Sequence, residues 1–236
     1  MRLRMPTFAR PAVGLVLTAT LLAGCGGSSS SSGNGVAAKS PEQIVAAAKN
    51  AASGAASVHI AGSIVSENKP ISLNMELVAR KGAKGRITLE GLPIDVVEVE
   101  HAFYLNGSAA FYRHIGGGAA AQLLEGKWLK APASSGEFAS LAQLTDLSTL
   151  INGVLGSHGS LSSAGTTTVA GQKVVGVKDA STGGVLYVAA TGTTYPVQIV
   201  KTSGGTGRLV FDRWNQSVTL QAPANAINIT QLQNGK

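Results

Sequence analysis

From residue 57 onward the apolar side chains recur at every second position, and this constrains the fold more than any other feature. Val58, Ile60, Gly62 and Ile64 share one face, with His59, Ala61 and Ser63 on the other. Ile71, Leu73, Met75 and Leu77 then alternate strictly against Ser72, Asn74 and Glu76. A period of two is the signature of a half-buried strand. The spacing predicts a turn at 67–70 and a second at 81–85, which leads into 86–90. Leu92-Pro93 reads as an interruption, followed by strands at 94–99 and 102–105. Such short connections favour antiparallel neighbours.

Before this meander, Ser40-Pro41-Glu42-Gln43 forms a helix start. Ser40 supplies the cap, Pro41 fits the first helical position, and Gln43 stands where a capping box places its polar partner. Ile44, Val45, Ala48, Ala51 and Ala52 follow at helical spacing, and Gly54 reads as the stop. The middle of the chain loses the strand period. Residues 108–114 and 119–124 read as helical turns and 128–130 as a short extended piece. Two helices are expected at 138–144 and 146–155, the second capped by Asp146. Residues 157–165 read as a polar loop. Strands are then expected at 166–170, 173–179, 185–189, 195–201, 208–213 and 218–221. Helices inserted into a meander predict an α+β fold: a strongly curved antiparallel β-sheet, or half-open barrel, with helices packed on its concave side. A closed all-strand barrel is the alternative.

The amino terminus predicts where the chain resides. Arg2, Arg4 and Arg10 form a basic region ahead of an uncharged apolar run at 12–23, as in a secretory signal peptide. That run is shorter than the roughly 20 apolar residues a membrane-spanning helix needs. It ends in Leu22-Ala23-Gly24-Cys25, which resembles the lipobox of bacterial lipoproteins. This predicts cleavage after residue 24 and a diacylglyceryl thioether on Cys25, anchoring the chain to the extracytoplasmic face of the cell membrane. Residues 25–38, rich in Ser and Gly, read as a flexible tether, and 39–236 as a single domain. Cys25 is the sole cysteine, so once it is acylated no thiol is left for a disulfide, a metal cluster or a nucleophile.

The chain of 236 residues has a net charge of +7, and three of its cations lie in the signal region. No basic stripe with interleaved aromatics is visible, which argues against nucleic-acid binding. No Gly-x-Ser-x-Gly elbow, His-Glu-x-x-His pair or phosphate loop occurs. His59, His101, His114 and His158 are scattered without ligand spacing, and strand periodicity sets Asp95 on the opposite face from Glu98 and Glu100. No enzyme, cofactor or metal site is expected. The absence of a coiled-coil pattern makes a monomer the plain expectation.

The ordered set of lipobox, Ser/Gly tether, helix and strands ending in Phe103-Tyr104-Leu105 resembles a known family. Gly126-Lys-Trp-Leu-Lys130, the Leu-rich helices at 138–155, and Val169-Ala-Gly-Gln-Lys-Val174 continue the pattern. Leu186-Tyr-Val188, Tyr195-Pro-Val-Gln-Ile-Val200 and Phe211-Asp-Arg-Trp214 complete it. Together, across residues 39–222, they resemble the LppX/LprAFG family of actinobacterial lipoproteins, related in fold to the periplasmic carriers and receptors LolA and LolB. The resemblance implies an apolar cavity that binds lipid or glycolipid acyl chains and helps move them through the cell envelope, with a possible transport partner and no catalytic residues. Under it, the candidate ligand contacts are Ile60, Leu73, Met75, Ile87 and Val96 on the strands, and Phe103 and Phe111 in the aromatic cluster with Tyr104, Tyr112 and Trp128. Leu123, Leu141, Leu147, Leu150, Ile151 and Val154 join them from the helical segments. Each faces either a ligand or an ordinary packed core. The rival function is a structural or partner-binding envelope lipoprotein with a filled interior.

Overall fold

The computed structural model describes residues 33–229, apart from 67–68, 136–140, 142 and 202–205. Helix α1 (Pro41–Ser53) starts as its sequence dictates. The Ser40 side chain accepts from the Gln43 amide, the Gln43 side chain returns the bond to the Ser40 amide, and Gly54 ends the helix. A first meander follows: β1 (Ser57–Ser66), β2 (Lys69–Val78), β3 (Gly82–Leu89), β4 (Leu92–Val99) and β5 (Ala102–Gly107). Helix α2 (Ala109–Leu124), broken at Gly117, leads to β6 (Leu129–Pro132). Helix α3 (Leu147–Leu155) precedes a second meander of β7 (Leu161–Val169), β8 (Gln172–Asp179), β9 (Gly184–Ala189), β10 (Pro196–Lys201) and β11 (Gly207–Asp212). The last element is β12 (Ile227–Asn228).

All of these strands belong to one sheet in the order β12-β6-β5-β4-β3-β2-β1-β11-β10-β9-β8-β7. Every pairing is antiparallel except the short parallel contact of β12 with β6. The two meanders join where β11 returns to β1, with Ile60 opposite Phe211. The sheet stays open, between β7 on one edge and β12 on the other, so the half-open barrel and not the closed one is formed. Bare positions on the inner face let it bend. Gly62 (φ 141°) and Gly85 (φ 151°) lie so close to the next strand that a Cβ would stand 2.0 Å from the Arg208 carbonyl oxygen and 2.2 Å from that of Asn74. Three hairpins with two-residue loops, Glu90-Gly91, Glu100-His101 and Ala170-Gly171, have positive φ at both loop positions, the turn whose twist matches the flanking strands.

The inner face and the helices share one continuous core, which runs from Val36 through Ile60, Met75, Ile87, Val96, Phe103, Ile151 and Val188 to Phe211. Helix α2 lies against β4 and β5, while α1 contacts α3 and the strands β7 to β10. Ser32–Lys236 is one compact unit. Residues 34–38, read from sequence as tether, lie on this body. Val36 is fully buried, and the Asn34 amide donates to the Ala190 carbonyl (3.0 Å).

Three other expectations are corrected. Pro93 does not interrupt β4; it sits in the strand's first turn, just beyond the reach of β5, where its missing N–H costs no ladder bond. Residues 161–165 are not loop but the first half of β7, paired to β8 around a bulge between Ser163 and Gly165. Residues 218–221 are not a strand. They belong to a strap that crosses the sheet after β11, held by Asn215 accepting from the Ala56 amide (2.7 Å), Ser57 donating to the Gln216 carbonyl (2.6 Å) and Lys84 donating to the Thr219 carbonyl (3.0 Å). The helix expected at 138–144 falls largely outside the described residues, as do the signal segment and Cys25.

Candidate ligand pocket

The second meander and α3 leave an apolar pocket of about 250 Å³ between them. Asp146 fixes α3, accepting from the Thr149 amide (2.7 Å). The helix turns Leu147, Leu150, Ile151 and Leu155 into the core; Leu155, and Val154 at the border of that stripe, also line the pocket. Val45 of α1, Leu161 of β7, Val177 of β8, Leu186 of β9 and Ile199 of β10 complete the greasy wall. The pocket opens at the end of the sheet where Asp179, Gly184 and Lys201 terminate or begin their strands. The chain enters at the opposite end of β9, beside Ala190.

The mouth is polar and well ordered. The Gly156–Ser160 connection between α3 and β7 brings Ser157 and His158 to the rim. Asp179 latches this loop, accepting from the Gly159 amide (3.2 Å), the Ser181 amide and hydroxyl (both 2.8 Å) and the Thr182 hydroxyl (2.8 Å). Desolvation alone would raise the Asp179 carboxyl, but the hydrogen bonds from Ser181, Thr182 and Gly159 outweigh it and hold the group well below the usual carboxylate range. Lys201 shares the inner face of β10 with Ile199 and reaches the same mouth; it makes no ion pair among the described residues.

Of the residues singled out from sequence, Val154 is the one that lines this pocket among the described residues. Ile60, Met75, Ile87, Val96, Phe103, Leu147 and Ile151 are at most 2% exposed, and Leu73 and Leu150 are 5% and 7% exposed. They meet one another across the barrel. Phe111 and Leu141 pack half-buried at the core margin. Leu123 departs furthest from expectation: it stands on the outer side of α2, 61% exposed, because the core side of that turn is taken by Ala121 and Leu124. The aromatic cluster closes the junction between sheet and α2. Tyr112 is fully buried, meets Phe111 edge-on at 5.5 Å, and accepts from the Gly107 amide through its phenol (3.0 Å). Trp214 stacks on Tyr195 at 4.4 Å and donates to the Pro196 carbonyl (3.2 Å).

A larger cleft of about 510 Å³ lies between the strap and the β3–β4 end, lined by Arg80, Lys81, Glu98, Glu100, His101 and Asp146 among others. Its apolar side chains, Val99, Val218 and Leu220, are interspersed with charged ones, so it offers an acyl chain no continuous greasy wall. His59 lies on the outer face, bonded to Asp212 (2.6 Å) and Asn74 (2.9 Å), and Asp95 and Glu98 lie on opposite faces of β4, Asp95 with Arg86 and Glu98 with Thr145. Among the described residues no group of His, Asp and Glu is placed to hold a metal ion, and no helix is long and apolar enough to cross a membrane.

The architecture is therefore a half-open barrel capped by helices, with an apolar recess at one end. It is the fold of LprF from Mycobacterium bovis, which is 13% identical, with a TM-score of 0.55 over 78% of this chain and 97% of that one. The Mycobacterium tuberculosis lipoprotein LppX aligns over 76% of this chain and 99% of its own, at 15% identity and a TM-score of 0.49. No family model and no curated protein matches the sequence.

Proposed function

We propose that this chain is a lipid-anchored envelope protein that binds the acyl portion of a lipid or glycolipid and carries it within the cell envelope, without catalysing a reaction. The observation that carries this reading is the pocket bounded by Val45, Val154, Leu161, Val177, Leu186 and Ile199. An apolar recess open to solvent gains about 25 cal/mol for each Å² of hydrocarbon it removes from water, and a few polar groups at the rim are the usual complement of a ligand site. The lipobox-like Leu22-Ala-Gly-Cys25 supports the anchor and an extracytoplasmic location, and the fold shared with LprF is compatible with both. A second reading is favoured by the filled barrel interior, where Ile60, Ile87 and Phe103 have no exposed surface: a tethered module that binds an envelope partner and carries no lipid.

Native mass spectrometry separates the two. The full-length protein, released from its native membrane in mild detergent, is expected to carry a non-covalent acyl-lipid adduct. Repeated recovery of bare protein that also takes up nothing from added lipid would leave the structural module as the function.

A further inference from the structure

The filled interior is itself informative about the cargo. We infer that the pocket admits one acyl chain and no second, and that the chain it selects ends in an oxyanion held at the mouth by Lys201. This rests on the lipid-binding reading above and narrows it.

The case for a single chain is volumetric. A cavity of roughly 150 Å³ takes one benzene molecule. The 250 Å³ here therefore houses about ten chain carbons, scaled from that case. Among the described residues, the packing beside it leaves no room for another chain. Its wall residues Leu155 and Val177 are at most 5% exposed, and they belong to the same core cluster as Ile60, Ile151 and Val188, which have no exposed surface. Close-packed walls of this kind do not part without loss of contact.

The case for an oxyanion is the arrangement of donors and acceptors at the rim. The Asp179 carboxylate is occupied by four hydrogen bonds from its own loop and turn, so it has little acceptor capacity left for a headgroup. The Lys201 ammonium projects from the inner face of β10 at the point where a chain entering along Ile199 would leave the hydrocarbon wall. The His158 ring stands on the facing loop and is held there by its Nδ1–H, which donates to the Gly159 carbonyl (3.1 Å). A carboxylate or a phosphate monoester meets the Lys201 cation; a fatty acid and a monoacyl glycerophosphate both present that chemistry.

The test is calorimetric titration of the chain from Gly26 onward with octanoate, decanoate, dodecanoate and tetradecanoate, methyl dodecanoate, a monolauroyl glycerophosphate, and a short-chain diacyl phosphatidylglycerol. Affinity is expected to rise by about fourfold per methylene up to about ten carbons and then level off. Lys201→Gln should weaken dodecanoate by about three- to fivefold, as for an exposed ion pair, and leave methyl dodecanoate unchanged. Val154→Trp, with Val185→Trp as a second filling variant should the first lose its thermal transition, should abolish binding of all of them. The relative affinity of fatty acid and glycerophosphate then identifies the source of the oxyanion. One-to-one binding of the diacyl lipid as tightly as dodecanoate, or indifference of dodecanoate to Lys201→Gln, overturns the inference while leaving lipid binding in place. Failure of every amphiphile to bind overturns both.

Discussion

Tyr112 shows how one buried polar atom ties the aromatic cluster to the sheet. Its ring has no exposed surface, and its phenol oxygen is the acceptor for the Gly107 amide at the end of β5. Tyr112→Phe removes that acceptor and leaves a buried N–H unpaired, at a cost of about 1–3 kcal/mol, to be read from urea unfolding midpoints. Burial raises the phenol's pKa, partly offset by the Gly107 amide. The neutral form is thus favoured by folding, and the associated stability is present below about pH 10 and declines above it; the phenylalanine variant should lose that alkaline slope. Ile151 and Val154, three positions apart on α3, test the division between core and pocket. Ile151 is fully buried in the core, so Ile151→Ala should cost about 2–5 kcal/mol. Val154 already borders open space, so Val154→Ala should cost under about 1 kcal/mol while weakening dodecanoate binding. Similar losses for both would mean that α3 packs Val154 as tightly as its neighbour.

At the scale of elements, the connection from α3 into β7 depends on Asp179. Its ionised carboxylate gathers the Gly159 amide and the Ser181 and Thr182 groups, and its pKa is depressed by them against the opposing effect of desolvation. A depressed carboxyl contributes stability that is present above the unfolded value near pH 3.9 and is lost as pH falls below it. Asp179→Asn should therefore lower stability by about 1 kcal/mol at neutral pH, flatten the profile below about pH 4, and speed hydrogen exchange at the Gly159 and Ser181 amides. Unchanged exchange at Gly159 would show that the loop is held by something other than this carboxylate. These same elements mark how far sequence reaches. The alternation in β2 and the caps at Ser40 and Asp146 were legible because each is a local rule that local residues satisfy. The first half of β7 was not, because Ser162 to Gly165 are exposed on a sheet edge and their strand character comes from pairing with β8. Val218 and Leu220 alternate like a strand, yet the segment finds no ladder and becomes a strap instead. The pocket was legible only at Val154. Val45, Leu161, Val177, Leu186 and Ile199 come together through long-range pairing, while the strand residues nominated beside it meet one another across the barrel and form core.

At the scale of the whole molecule, a lipid anchor at Cys25, as proposed above, would make the distance between the chain's entry point and the pocket mouth the limit on how cargo is collected. Gly33 and Asn34 dock beside Ala190 at one end of β9, and the pocket opens beyond Gly184 at the other. The five residue steps between Gly184 and Ala189 amount to about 17 Å of strand. With Cys25 acylated, the eight residues to Gly33 reach at most about 27 Å when fully extended. The barrel can then stand with its mouth against the bilayer that holds the anchor, with about 10 Å to spare. Deleting Ser28–Ser32 cuts the reach to about 10 Å, less than the height of the docking point above the mouth. The shortened, acylated protein should bind dodecanoate from solution as the parent does, yet lose the ability to extract fluorescent fatty acid from the proteoliposome that carries it, while still collecting it from a neighbouring vesicle. A Gly/Ser segment of the original length but different order should restore extraction. Undiminished extraction by the shortened protein would mean that cargo enters with the barrel lying on its side, and that tether length has no part in loading.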